Sequence, residues 1–399
     1  MRCSAIRTVD LLRWTYLKSL SIGGWDERIT SVGWKAFSDY LSSPGCVLEK
    51  LVLHRIVIRD ESAADALGNA IAMNRTLKYL DFVGAEIPPT VWRGISRSAL
   101  TELKVRDWID CHLNDESAYE LFSGLANNAT MKKLILPDAK EISSVGWVAC
   151  FQHLLDSQSA LEILNFSDNE IDDEGASVLA SLLGSHMSNV VSLTVQESLI
   201  TTHGLTDFAN VLAPNSTSKL KILRLPLLED EYDDDVFIDL IDVLTIMDDV
   251  LIEFIATLSN NTSLCELDLG ERGVSKHTLD VLANVLCDKT SIANVCSSNH
   301  SLNILYPNYY GVVDGNDVER VHHDELDVLL DMNKNPDKVE VIRTKLLTYF
   351  FSNADNIVRG FGSVDTTVMP NVMEWIGRDR LGYSVMFELC RSMPELFKE

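Results

Sequence analysis

Residues Leu161 to Val190 read LEILNFSDNEIDDEGASVLASLLGSHMSNV, and this stretch decides the fold because it holds a complete structural unit. Leu161, Leu164 and Phe166 form an L-x-x-L-x-L strand signature, Asn169 stands where that signature ends, and Ile171, Val178, Leu179, Leu182 and Leu183 mark a helical stripe. A period of two turns Leu164 and Phe166 to one side of the strand and Ile163, Asn165 and Ser167 to the other. The Asn169 amide can satisfy backbone groups that a bend leaves unpaired. Asp172 and Asp173 suit a helix start, and Gly175 permits a neighbouring helix to approach closely. One unit cannot bury its own apolar stripe, so units must stack.

Working outward, the signature recurs at Leu17-Leu20-Ile22, Leu48-Leu51-Leu53, Leu77-Leu80-Phe82, Leu100-Leu103-Val105 and Met131-Leu134-Leu136 before the central unit. After it come Val190-Leu193-Val195, Leu220-Leu223-Leu225, Leu264-Leu267-Leu269 and a weaker Leu302-Leu305. That gives about ten strands. Their first leucines stand mostly 29 to 31 residues apart, which leaves room for a full helix in each repeat. Parallel strands stack ~4.8 Å apart whereas helices need ~8 to 10 Å, so an α/β solenoid curved like a horseshoe is expected, strands inside and helices outside.

Three spacings depart from the rule. Only 23 residues separate Leu77 from Leu100, and Pro88-Pro89 opens a shortened helical turn through Trp92 and Ile95. The 44 residues from Leu220 to Leu264 admit an insertion at 229–247, an acidic run (EDEYDDD) and an amphipathic turn, ahead of a regular helix over Asp248 to Ser259. The 38 residues from Leu264 to Leu302 hold a helix over Lys276 to Cys287 and an extra turn near Ile292 and Val295. Beyond residue 308 the leucine pattern stops. Tyr309 to Asp317 reads as a loop, Glu325 to Met332 as a helix, and apolar stripes at Val339-Ile342-Leu346-Phe350, Val372-Trp375-Ile376 and Val385-Met386-Leu389-Met393 as three more. The expected division is a repeat solenoid over 1–308 and a helical cap over 309–399 that covers its last layer.

With these repeats laid out, the chain resembles the ribonuclease-inhibitor-like branch of the leucine-rich repeat proteins, above all through NFSDNEIDDEGASVLASLL, over roughly Leu17 to Tyr306. The tail is similar to C-terminal segments of diatom-type leucine-rich repeat proteins through NKNPDK, MPNVMEWIGRDR and LCRSMPELF. The resemblance implies a non-enzymatic protein-binding scaffold that uses its concave face and rim. The Asn site of the signature instead reads Ile56, Ala85, Trp108, Ala139, Ser198, Leu228 and Arg272 in other repeats, so the family's ligand-binding residues do not carry over. An alternative is a regulator of a small GTPase, similar to the Ran GTPase-activating family, which also joins long repeats to an acidic segment; here that segment is internal.

Composition narrows the function classes. The 399 residues are 46% hydrophobic and 23% charged, with no signal-peptide-like start and no run of roughly 18 apolar residues, so an intracellular, cytoplasmic or nuclear, protein is expected. The eight cysteines are scattered without a Cys-x-x-Cys pair and are expected to be reduced. A net charge of −25 opposes nucleic-acid binding. No phosphate loop, nucleophile elbow or metal-ligand spacing emerges, and His322-His323-Asp324-Glu325 reads as a solvated loop. Five Asn-x-Ser/Thr triplets, at Asn74, Asn128, Asn215, Asn261 and Asn299, fall in turns before strands and read as turn formers.

Outward strand positions carry Lys50, Lys104, Arg106, Lys133 and Arg224 against Asp81, Glu102, Glu266 and Asp268, a nearly balanced floor. The rim one step beyond is acidic, at Asp107, Asp138, Asp168, Glu197 and Glu271, and helix capping is the plain reading of each. The residues expected to bind are Tyr79, Ile135, Ile163 and Arg224 on the floor and Asp233, Asp234 and Asp235 in the insertion. The expected partner is a protein, basic where it meets the rim, with no cofactor, nucleic acid or membrane.

Overall fold

The computed structural model describes residues 2–3, 16–23, 29–106, 113–155, 157–213, 216–225, 240–269, 275–306, 310–313, 317–320 and 323–350. The chain divides into two compact units, Met1–Val211 with Ser216–Tyr232, and Leu212–Asn215 with Asp233–Glu399. The acidic run at 229–235 and the tail stripes from Val372 onward lie outside the described residues.

The first unit alternates strands and helices: β1 (Arg2–Cys3), β2 (Ser19–Gly23), α1 (Ser31–Ser42), β3 (Lys50–His54), α2 (Glu61–Met73), β4 (Tyr79–Val83), α3 (Pro89–Ser96), β5 (Glu102–Arg106), α4 (Asp115–Leu125), β6 (Lys133–Ile135), α5 (Ser144–Leu155), β7 (Ile163–Asn165), α6 (Asp173–Gly184), β8 (Ser192–Thr194), α7 (Thr202–Leu212) and β9 (Ile222–Arg224). Every strand pairs in parallel with the next. The register sets Leu20, Leu51, Leu80, Leu103, Leu134, Leu164, Leu193 and Leu223 side by side, all at 0 or 1% exposure. Hydrophobic stacking along this row and the helix stripes behind it bind the repeats together.

The helix layer has a periodicity of two repeats that the strand signature does not reveal. At the fourth position of α1 to α6 the residues are Trp34, Ala64, Trp92, Ala118, Trp147 and Ala176, all buried. Alternating large and small side chains let adjacent repeats interdigitate. The indoles meet strand aromatics, Trp92 with Phe82 at 5.5 Å between ring centroids and Trp147 with Phe166 at 5.2 Å. In the clipped repeat α2 and α3 meet backbone to backbone: a Cβ at Gly94 would lie 2.2 Å from the Gly68 carbonyl oxygen. Gly175, expected to serve that purpose, instead clears Ile171 of its own turn, where a Cβ would meet Cγ2 at 2.9 Å, with Phe151 of α5 at 3.8 Å.

Two asparagine systems hold the turns. Asn169 is 3% exposed; its Nδ2 donates to the carbonyls of Leu136, Phe166 and Ser167, and its Oδ1 accepts from Ala139 N. The other system occupies the position three residues before the repeat leucine. Asn128 donates to the carbonyls of Ser96 and Ser98 and accepts from the N–H groups of Thr130 and Met131. Asn74 does the same with the Leu41 carbonyl and with Thr76 N and Leu77 N. These bonds pair backbone groups that the helix-to-strand turn would otherwise bury unsatisfied. Asn74, Asn128, Asn261 and Asn299, all four 7% exposed or less, are buried as turn anchors, and Asn215 lies outside the described residues.

The second unit holds α8 (Leu240–Thr257), a 3-10 turn (Leu258–Asn260), β10 (Glu266–Asp268), α9 (Lys276–Leu286), α10 (Ile292–Ser297), β11 (Ile304–Tyr306), β12 (Tyr310–Val313), β13 (Asp317–Arg320), α11 (Asp324–Asn333), α12 (Lys338–Lys345) and a π turn (Leu346–Phe350). β10 and β11 pair in parallel. Three expectations are corrected. A single helix runs from Leu240 to Thr257, with no break before Asp248. Within the expected loop over Tyr309 to Asp317, Tyr310–Val313 form β12 and pair antiparallel with β13, while 309 and 314–316 lie outside the described residues. His323 is likewise no solvated loop residue: its Nδ1 accepts from Leu326 N to cap α11, and its Nε2 lies 3.0 Å from Asp280 Oδ1.

The asparagine anchors continue here. Asn261 donates to the Leu212 carbonyl, Asn299 to those of Leu258 and Asn261, and Asn333, at the end of α11, to those of Asn299 and Leu302. Asn333 breaks the pattern on one side only. In Asn299 the Oδ1 accepts from Ser301 N and Leu302 N, but three residues after Asn333 stands Pro336, which has no N–H, and the Asn333 Oδ1 is buried without a partner. No strand follows; α12 begins instead.

Candidate functional site

Side chains on the outward face of β3 to β9 form rows fixed by the register. One row runs Lys50, Tyr79, Glu102, Lys133, Ile163, Ser192, Ile222, and the next Val52, Asp81, Lys104, Ile135, Asn165, Thr194, Arg224. Their burial alternates with the inward leucines, fully buried residues being flanked by partly exposed ones in β3, β5, β6, β7 and β9. Of the expected floor residues, Ile135 and Ile163 lie on adjacent strands one row apart, and so are diagonal neighbours. Tyr79 on β4 and Arg224 on β9 are five strand steps apart, about 24 Å at ~4.8 Å per step. Asp233, Asp234 and Asp235 are outside the described residues.

Tyr79 belongs to a fixed network. Its hydroxyl donates to Asp81 Oδ2 at 3.0 Å, Arg106 Nη2 meets the same oxygen at 2.6 Å, and Lys50 Nζ sits 4.4 Å from the Tyr79 ring centroid. Burial, then the Asp81 charge, push the Tyr79 hydroxyl up to about 12, so it remains a donor. Asp81 is only 2% exposed, and a carboxylate that dry requires such partners. Glu102 is partnered more loosely, 3.7 Å from Lys133. Lys104 has no ion partner among the described residues. The part played by Lys104, Lys133 and Arg106 is masked in the sequence because the count of outward charges balances. The structure divides that count: Glu266 and Asp268 belong to the second unit, leaving five cations and two carboxylates on the strands of the first.

The acidic turns are not helix caps. Asp138, Asp168 and Glu197 adopt φ of 60°, 59° and 52°, as do Arg55 at 49° and Gly84 at 60° in the equivalent turns. This left-handed turn carries the strand ladder one step further, Asp138 N donating to Ser167 O and Asp168 N to Gln196 O, both at 2.9 Å. Capping falls to other residues: Asp60, Asn114 and Asp172 accept from Ala63 N, Ser117 N and Gly175 N. Asp115 and Asp173 reach into the following repeat instead, to Ser143 N and Thr201 N. Asp138, Asp168 and Glu197 are thus free of helix-start duty, and Lys140 stands 3.2 Å from Asp138. Among the described residues no group of three or more His, Cys, Asp or Glu side chains gathers as metal ligands, and no helix is long and apolar enough to cross a membrane.

A model of the leucine-rich repeat matches residues 159–180. No curated protein matches the chain. Among solved structures, an internalin from Listeria monocytogenes is 13% identical over 71% of this chain and 67% of its own, with a TM-score of 0.34. The yeast complex of Rad7 and Elc1 contains a chain 17% identical over 76% of this chain and 72% of its own, with a TM-score of 0.35. The matched repeat is the Leu161 unit itself, and the parallel strands alternating with helices repeat its plan. The chain folds as an α/β leucine-rich repeat solenoid.

Proposed function

We propose that this protein is a non-catalytic scaffold that binds another protein on the concave strand face of the first unit and the acidic turns bordering it. One observation carries the reading: the outward rows of β3 to β9 present cations, isoleucines and a fixed Tyr79–Asp81–Arg106 network over a span too long for a small ligand. Such a surface suits a polypeptide, whose side chains can meet polar and apolar positions in succession. Asp138, Asp168 and Glu197 suit basic groups of that partner, and the run Glu229 to Asp235 would add charge of the same sign. Exposed charge of this kind acts chiefly on the rate of association.

The test is an affinity capture with three proteins: the native chain, Ile163→Asp on the strand face, and Val145→Asp on α5, where Val145 is 76% exposed. The proposal expects a partner that Ile163→Asp loses and Val145→Asp keeps. A partner kept by the first and lost by the second refutes it. Stimulated GTP hydrolysis by a small GTPase would transfer the reading to the regulator alternative.

A further inference from the structure

We propose that the sector of the strand face around Lys104, Lys133, Ile135 and Ile163 docks an acidic polypeptide segment that carries apolar side chains. This rests on the strand face being the docking surface. The register sets Lys104 beside Ile135 and Lys133 beside Ile163, so two cations and two isoleucines share one patch, neighbours in each row about 5 Å apart. Lys50 and Arg106 extend the positive charge across β3 and β5.

The two carboxylates of the sector offset only part of that charge. Asp81 is sealed beneath Arg106 and Tyr79, its side chain 3% exposed while that of Arg106 is 40% exposed. Glu102, 3.7 Å from Lys133, offsets that one cation, which leaves Lys50 and Lys104 without a carboxylate partner among the described residues. What reaches solvent is therefore mainly ammonium and guanidinium, in a protein whose net charge is −25. A cationic patch kept on so acidic a chain attracts an acidic partner segment, and the isoleucines supply the desolvated contact that charge alone does not.

The same patch suits nucleic acid poorly. The overall charge repels a phosphate backbone, isoleucine offers no ring for a base to stack on, and the Tyr79 ring is already covered by Lys50. The acidic turns Asp138, Asp168 and Glu197 follow β6, β7 and β8. A bound segment would thus place acids over β3 to β6, apolar groups over the isoleucines and any basic groups at those turns.

The experiment selects random phage-displayed dodecapeptides on the full chain, then measures the selected peptides by fluorescence anisotropy. Enrichment of Asp and Glu flanking large apolar residues is expected. Lys104→Gln combined with Lys133→Gln should weaken these peptides at least fivefold and flatten their salt dependence, whereas Lys35→Gln on α1, an exposed lysine of the helix layer, should leave them unchanged. Thermal melting of each variant establishes that it is folded. Peptides of basic or uncharged character that Ile163→Asp nevertheless abolishes would overturn the acidic segment while leaving the docking face intact. Peptides insensitive to both the lysine pair and Ile163→Asp, or no selection at all, would overturn both. Tight binding of a homopolymer RNA, lost in the lysine pair, would replace the polypeptide by nucleic acid and refute the proposal.

Discussion

Leu164→Ala tests the packing logic of the stacked repeat at its centre. Leu164 is 0% exposed, paired in register with Leu134 and Leu193, so its loss cannot be repaired by one neighbour alone. Buried Leu→Ala changes cost roughly 2 to 5 kcal/mol, the spread reflecting how far the site collapses. A cavity of about 20 Å³, lined by Leu154, Leu161, Leu164 and Leu182 among others, already adjoins the side chain. That void is present before the substitution and adds nothing to its cost; it offers no side chain that could fill the space Leu164 leaves, and the expected cost stays at about 2 to 5 kcal/mol. Urea unfolding followed by circular dichroism reads it as a lower midpoint. Ile163→Ala, one residue away on the outward face and only partly buried, is the control and should cost about 1 kcal/mol or less, as for a partly exposed methyl-bearing side chain. Equal shifts for the two variants would mean that the inward and outward rows are misassigned.

Three further outcomes follow from the same structure. Asn128→Ala strands two N–H groups and the Ser96 carbonyl, the Ser98 carbonyl keeping Thr130 Oγ1, and at ~1 to 3 kcal/mol for each group buried unpaired a loss of about 3 kcal/mol is expected in urea unfolding; Asn189→Ala, at an exposed asparagine, should be near neutral. Lys345, whose Nζ donates to the carbonyls of Leu286 and Asn299 and meets His300 Nδ1 at 3.0 Å, is lowered by burial to about 7. The unfolded chain then binds more protons between pH ~7 and ~10.5, so the second unit should gain stability as pH rises through that window, and Lys345→Met should flatten the gain; an identical pH profile for both proteins would exclude Lys345 as its source. We also propose that the chain from Pro336 onward covers the last repeat, and its deletion should expose the buried Leu302 layer and cause aggregation, which light scattering detects; a soluble, equally stable truncation would exclude the lid.

Much of the fold is legible in the sequence because the repeat leucines report directly on strand register. Leu17 to Leu302 mark strands β2 to β11, and Pro88-Pro89 marks the clipped helix α3. What escapes has identifiable causes. Asp248 and Asp249 look like a helix start, yet the helix α8 runs through them from Leu240 to Thr257. Gly311, Gly315 and Asn316 suggest a loop, although Asp314-Gly315 also fits the turn of a hairpin. The alternation of Trp34, Ala64, Trp92, Ala118, Trp147 and Ala176 is present in the sequence but needs two-repeat spacing to be noticed. The floor charges are the clearest case: summed over the chain they balance, and only the division into two units and the burial of Asp81 separate cations from acids. The rim acids could not be told from caps without φ, since both stand between a strand and a helix.

The claim that the strand face of the first unit receives a polypeptide is tested most directly by placing a photo-crosslinking amino acid at Ile163 and, in a separate protein, at Val145 on α5. Irradiation in cells should give a protease-sensitive adduct from Ile163 that the Val145 protein does not form. A protein adduct at Val145 with none at Ile163 would contradict the account.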